Sequence, residues 1–264
     1  MKGHFSTCVL VAAAVTICGC TSVRKASQPM PWPSEIAGAA TGEQLETVRR
    51  LISQSVEQYE LTRDYRCVFQ KRLRMGGSLQ DPQRIVLKFK KPMNVYMKWL
   101  TQAHAGQEIL YAPSRYGGKA LARAGGWKGT LMPAIPINVD GYWVMRDNIH
   151  PLNHVGIGHF LAVFVKNSKR ARAERAGALI DRGEEKVGTR SARVIEAVLP
   201  PEREKGYYCY RCLVWFDTEL LLPVKIQVYD WDNNLSEEYM YEDMEVNVGL
   251  GDKDFDRENK EYNF

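Results

Sequence analysis

Three histidines crowd one stretch of the chain, Ile-His-Pro-Leu-Asn-His-Val-Gly-Ile-Gly-His-Phe, at His150, His154 and His159. Two imidazoles four residues apart can share one face of a helix, the spacing by which helical motifs hold zinc. Here Pro151 follows His150 directly and biases it away from helical geometry. No Glu stands beside the first histidine to serve as a base. The stretch reads instead as the start of a helix, with the rings making capping and polar contacts, and no metal is expected.

Cysteines are the second candidates. Cys209 and Cys212 sit in Tyr-Tyr-Cys-Tyr-Arg-Cys-Leu-Val-Trp-Phe, which reads as a strand. A redox Cys-x-x-Cys needs its first thiolate at a helix N-terminus. In a strand, a spacing of three puts the two thiols on opposite faces, so a direct bridge is geometrically poor. Either one could pair with Cys67 in an exported protein. A disulfide drawn from Cys67, Cys209 and Cys212, buried free thiols, and zinc or redox chemistry all stay open, and the odd number leaves at least one thiol free.

Two acidic strings, Asp252-Lys-Asp254-Phe-Asp256 and Asp230-Trp-Asp232-Asn-Asn234, imitate calcium loops. Both lack the Gly at the sharp turn, where Arg257 and Leu235 stand, so they read as turns. The basic run from Lys166 to Arg175 fits the C-terminus of a helix, where cations offset the macrodipole, or else a surface that meets anionic lipid headgroups. No Gly-rich phosphate loop, nucleophile elbow or paired glycosidase carboxylates can be singled out. No catalytic residue and no cofactor is expected.

The clearest chemistry lies at the start. Lys2 precedes an apolar stretch from Cys8 to Ile17, long enough for a secretory leader and too short to span a bilayer. It ends in Ile17-Cys18-Gly19-Cys20, small residues before a thiol that would accept a diacylglycerol. Residues 1–19 are therefore expected to be a lipoprotein signal peptide, with Cys20 as the lipid attachment. Cys18 is the competing acceptor, but it would put bulky Ile17 directly before the cut. Thr21, in place of Asp, implies sorting to the outer membrane on its periplasmic side. Residues 20–42, with Pro29, Pro31 and Pro33 among small side chains, read as a flexible tether.

The remaining chain, 43–264, suits one β-rich domain. In the 264-residue chain, a formal net charge of +5 leaves no nucleic-acid footprint. A helix is predicted over Glu43–Thr62, capped by Thr41, because Leu45, Val48, Ile52, Val56 and Tyr59 recur at helical spacing. Strand-like runs follow at Tyr65–Leu73, Arg84–Lys90, Asn94–Leu100, Glu108–Tyr111 and Lys119–Arg123, parted by Gly and Pro turns. Trp127–Asn138 reads as loop, and Asn153–Arg175 as a second helix. Strands resume at Leu179–Lys186, Arg193–Leu199, Tyr208–Phe216, Val224–Tyr229 and Glu237–Glu245. This is an antiparallel meander, α+β in class. Several strands are apolar on both faces, so both faces must be covered, by a core or by an enclosed cavity.

Five segments together resemble a bacterial family known as domain of unknown function 1571. They are Pro92–Leu100, Gly106–Tyr111, His150–Phe160, Leu222–Trp231 and Asn247–Phe264. The resemblance implies a fold similar to the LolA and LolB lipoprotein carriers, an incomplete β-barrel with helices over its open side. It would make the chain a non-catalytic, monomeric binder of lipid or lipidated protein cargo. Val95, Met97, Trp99, Leu213 and Trp215 would line the cavity, and Val155, Ile157, Phe160 and Phe164 would sit on a lid. The rival expectation is a structural lipoprotein whose solid core docks another protein.

Overall fold

The computed structural model describes residues 39–264. The expected signal peptide, Cys20 and most of the tether lie outside the described residues. The tether's last residues are folded: Ala39 bridges Ile180, and the buried Ala40 donates its N–H to the Leu179 carbonyl at 2.8 Å. Two small side chains let these residues lie flat against the edge strand that holds Leu179 and Ile180.

Helix α1 (Gly42–Leu61) presents Val48 and Ile52 to the core, as its helical spacing requires. Twelve strands follow in a single sheet. The first half holds β1 (Asp64–Met75), β2 (Ser78–Leu79), β3 (Gln83–Lys90), β4 (Asn94–Trp99), β5 (Glu108–Tyr111), β6 (Ala120–Arg123) and β7 (Ile135–Ile137). The second half holds β8 (Ala178–Val187), β9 (Arg190–Val198), β10 (Arg211–Asp217), β11 (Pro223–Tyr229) and β12 (Leu235–Val246).

Pairing is antiparallel throughout, in the order β7-β6-β5-β4-β3-β1-β12-β11-β10-β9-β8, with β2 folded back on β1. The first and last long strands therefore meet at the centre, and β7 and β8 end the sheet without pairing to each other. The result is an incomplete barrel. Helix α2 (Gly126–Leu131) lies in the connection between β6 and β7, and from edge β7 to edge β8 run α3 (Tyr142–Met145) and α4 (Ile157–Ala173).

The inner face follows the period of two. On β1, Tyr65, Cys67, Phe69, Lys71 and Leu73 are buried while Arg66, Val68, Gln70 and Arg72 are not. Ile85, Leu87 and Phe89 of β3 and Val95, Met97 and Trp99 of β4 continue that wall. Each fully buried large side chain contributes roughly 1.5–3 kcal/mol. The apolar outer face of β4–β6 is covered by the chain's own tail. Tyr96, Leu110 and Leu121 pack against Phe255 and Tyr262, and the Tyr96 and Tyr262 rings stack 3.7 Å apart.

Three expectations need correction. Trp127–Asn138 is not plain loop: it carries most of α2 and the edge strand β7, where Pro136 is tolerated at a sheet margin. The strand expected from Tyr208 begins only at Arg211, so Cys209 precedes it. The second helix starts at Ile157 and not at Asn153, because Gly156 adopts φ +111° and breaks the chain's path between a short 3₁₀ turn at Leu152–His154 and α4.

Gly156 also brings the backbone against the sheet. A Cβ there would stand 2.9 Å from the Tyr65 hydroxyl and 3.0 Å from the Phe89 ring, in a backbone region that side-chain-bearing residues resist. Gly156→Ala should lower stability by about 1–3 kcal/mol in urea unfolding. An unchanged midpoint would mean that α4 is not held at this point.

Candidate functional site

The inner wall and the crossing segment enclose a cavity of about 150 Å³. In engineered proteins that is roughly the space that holds a benzene-sized molecule. Phe69 and Leu73 of β1, Met97 and Trp99 of β4, and Ile226 and Val228 of β11 form much of its apolar floor, since all point inward by strand parity. Phe160 and Phe164 of α4, with Val155 just before the helix, close it from above.

Five of the nine residues expected at the cavity are thus brought together there: Met97, Trp99, Val155, Phe160 and Phe164. Val95 is on the same inner face but buried away from the space. Ile157 is fully buried in the core, its N–H donating to the Tyr65 hydroxyl at 3.3 Å. Leu213 and Trp215 are not at the cavity. Cys212, Val214 and Phe216 take the inner face of β10, so the two alternates must point outward. There Trp215 donates its indole N–H to Glu185 at 2.8 Å, with Lys225 4.7 Å above its ring.

One end of the cavity is polar. Glu237, on the inner face of β12, accepts from the Tyr208 hydroxyl at 2.5 Å and the Tyr239 hydroxyl at 2.8 Å. His150 Nε2 stands 3.0 Å from the same carboxylate and 2.8 Å from the Tyr208 oxygen. Since Tyr208 gives its proton to Glu237, both neighbours of Nε2 are acceptors there, and the proton belongs on Nε2. His154 and His159 stack at 3.9 Å. Burial first, and then the charge of neighbouring imidazoles, lowers both of their pKa values. Among the described residues no group of three or more His, Cys, Asp or Glu could hold a metal ion.

Cys67, Cys209 and Cys212 are all free and buried, so the disulfide alternative is not realised. Cys209 and Cys212 both line the cavity, because Cys209 lies in the bend before β10 and escapes strand parity. Burial, and then the charge of Glu237, pushes the Cys209 thiol up to about 12, and burial raises Cys212 as well. Neither supplies a thiolate near neutral pH.

Lys71 is the second polar feature. It is only 6% exposed, projects from β1 into the cavity, and donates to the Asn148 side-chain oxygen. Burial lowers its pKa from 10.5 to about 8, opposed in part by Asp147. Sequence reasoning missed Lys71, Asn148, Tyr208 and Glu237. Strand parity held the signal for two of them: Lys71 continues the series Tyr65, Cys67, Phe69, and Glu237 the series Tyr241, Tyr239.

The basic run behaves as a helix end. Arg170 bonds Glu174 and the Lys205 carbonyl at 2.8 and 2.7 Å. Arg172 and Arg175 edge a groove of about 640 Å³ between α1, α4 and β8. Of the two acidic strings, the one from Asp230 is a turn and the one from Asp252 a short 3₁₀ helix over Asp252–Phe255. Asp230 caps the N–H groups of Asp232 and Asn234, and Asp254 that of Gly251.

The family model described as "Protein of unknown function (DUF1571)" matches residues 62–264, as the resemblance implied. No curated protein matches the chain. Among solved structures, the Mycobacterium tuberculosis lipoprotein LppX is similar over 78% of this chain and 98% of its own, at 8% identity and a TM-score of 0.46. A LolA superfamily protein from Nitrosomonas europaea is similar over 79% of this chain and 97% of its own, at 12% identity and a TM-score of 0.37. A chain of the Pseudomonas aeruginosa MucA/MucB complex is similar over 80% of this chain and 60% of its own, at 14% identity and a TM-score of 0.43.

The buried Lys71 has a thermodynamic signature. The unfolded chain holds this proton up to the ordinary value of 10.5 and the folded chain only up to about 8. Folding therefore releases a proton between those pH values, and stability rises with pH across them. Lys71→Met should stabilise the protein at pH 7 by about 2 kcal/mol, the relieved burial of charge less one lost hydrogen bond. The gain should shrink toward pH 10 in urea titrations. A variant less stable at pH 7 would mean that the charge is compensated.

Proposed function

This chain belongs to the DUF1571 family, and on that premise we propose that it is a non-catalytic binder of lipid or lipidated protein cargo. The observation that carries the reading is the apolar cavity roofed by α4 on the open side of an incomplete barrel. The protein is held in the cell envelope, at the outer membrane, by acyl groups on Cys20, with 43–264 working as one monomeric domain. Among the described residues, no helix is long and apolar enough to cross a membrane.

In the closed state, a space of about 150 Å³ is too small for a full acyl chain. Loading therefore requires α4 to move. Glycines with positive φ, Gly156 and Gly177, flank the helix and supply backbone freedom at both ends. Movement withdraws Leu161 and Phe164 from the core. Ligand methylenes, at roughly 0.8 kcal/mol each, replace those contacts.

Helix α2 and the crossing segment together offer a membrane-facing surface. Trp127 and Leu131 of α2 and Tyr142 and Trp143 of α3 are 61–74% exposed, and Trp143 belongs to the cavity wall as well. Amphipathic aromatic rings favour the headgroup region of a bilayer. The small closed volume favours a second reading, in which the barrel stays packed and this apolar surface docks another protein.

Native mass spectrometry of the full chain carrying Cys20→Ser, prepared without detergent, separates the two. The substitution keeps the protein's own acyl groups out of the cavity. Adducts of lipid mass that disappear on delipidation and return on adding lipid are expected. Phe160→Ala should weaken uptake by about tenfold. A clean mass with no uptake from added lipid would instead support docking.

A further inference from the structure

Among the described residues, Lys71 is a buried cation that no carboxylate meets at ion-pair distance, although the charge of Asp147 reaches it. An ammonium group has three N–H donors, and among the described residues this one meets a single neutral acceptor, Asn148 Oδ1. The Asn148 amide is held in that orientation by donating to the Val144 carbonyl at 2.7 Å.

Every carboxylate at this end of the cavity is committed elsewhere. Asp147 receives the Arg146 guanidinium at 2.8 Å. Glu237 is taken up by Tyr208, Tyr239 and His150. Gln83, opposite Lys71 in the β1–β3 ladder, has its Oε1 engaged by the Trp99 indole N–H at 2.9 Å. Two donors of a nearly dry ammonium are thus left facing the space. Keeping a charge there unpaired is unfavourable unless something else completes it.

From the same side chain the apolar wall begins at once. Phe69 and Leu73 flank Lys71 on its own strand, and Met97, Phe160 and Phe164 lie beyond. An ion site that opens into hydrocarbon matches one kind of molecule. Resting on the lipid-binding reading above, we propose that the cavity takes a single-chain anionic amphiphile, a fatty carboxylate, with its head on Lys71 and its chain under α4. One ammonium neutralises one carboxylate, whereas a phosphate monoester brings more charge than this site balances. A space that must already open to admit one chain suits one better than two.

The test compares ligands that differ only at the head: dodecanoate, dodecanol and dodecyl phosphate, titrated at pH 7 into the full Cys20→Ser chain and its Lys71→Met and Lys71→Arg variants. Dodecanoate should bind the unsubstituted site about tenfold or more tighter than dodecanol. Lys71→Met should abolish that preference while leaving dodecanol affinity within about threefold, and Lys71→Arg should restore most of it. Equal binding of acid and alcohol, or a preference that survives Lys71→Met, overturns the inference and leaves the lipid-binding reading intact. Tighter binding of dodecyl phosphate overturns the choice of carboxylate. Binding of none of the three overturns both readings.

Discussion

A sheet whose two edge strands do not pair leaves an opening that the chain itself must close. Here the path exits the sheet at one edge, β7, and re-enters at the other, β8. The intervening segment has no choice but to cross from edge to edge. That single topological constraint accounts for α4 lying over the open side, for the cavity beneath it, and for the exposed aromatic side chains displayed on the crossing. The crossing is tied to the sheet by side-chain packing and by contacts such as the Ile157 N–H to the Tyr65 hydroxyl, not by a strand ladder.

Within that frame the inner wall is unevenly polar. Most inward positions carry apolar side chains, yet β1 and β12 each place an ionisable group there, Lys71 and Glu237. They are treated differently. Glu237 is saturated by two hydroxyls and an imidazole, whereas Lys71 has one amide oxygen. Buried polar groups of the first kind stabilise the local architecture, while those of the second kind reduce stability.

Much of this was legible from residue order. The family segments held over 62–264, and most strands appeared where alternation placed them, Glu108–Tyr111 to the residue. The apolar double faces of β4 were a true sign, with the C-terminal tail as the second cover. What escaped was parity in β10 and the start of α4. Cys212 to Phe216 is apolar on both faces, so pattern alone cannot say whether Leu213 or Val214 looks inward. That choice is set by register against β9 and β11. Gly156 breaks a helix whose hydrophobic spacing continues upstream, and only its φ reveals the break. The polar end draws its groups from β1, the crossing segment, the bend before β10 and β12. Proximity of this kind is a product of the fold and has no trace in any local window.

The meeting of β1 with β12 has a further consequence for how the molecule comes into being. Arg66 and Glu245, paired across these strands, are 179 residues apart in sequence. A chain emerging from its amino end can form the β3-to-β7 meander early, but β1 waits for a neighbour on its other side until β12 arrives. Contacts this distant slow folding, because ordering the intervening chain precedes the reward. The two halves of the sheet therefore stay unjoined until β12 has been made, and a chain released before that point has a second pair of unsatisfied strand edges, on β1 and β11, at the centre of the fold.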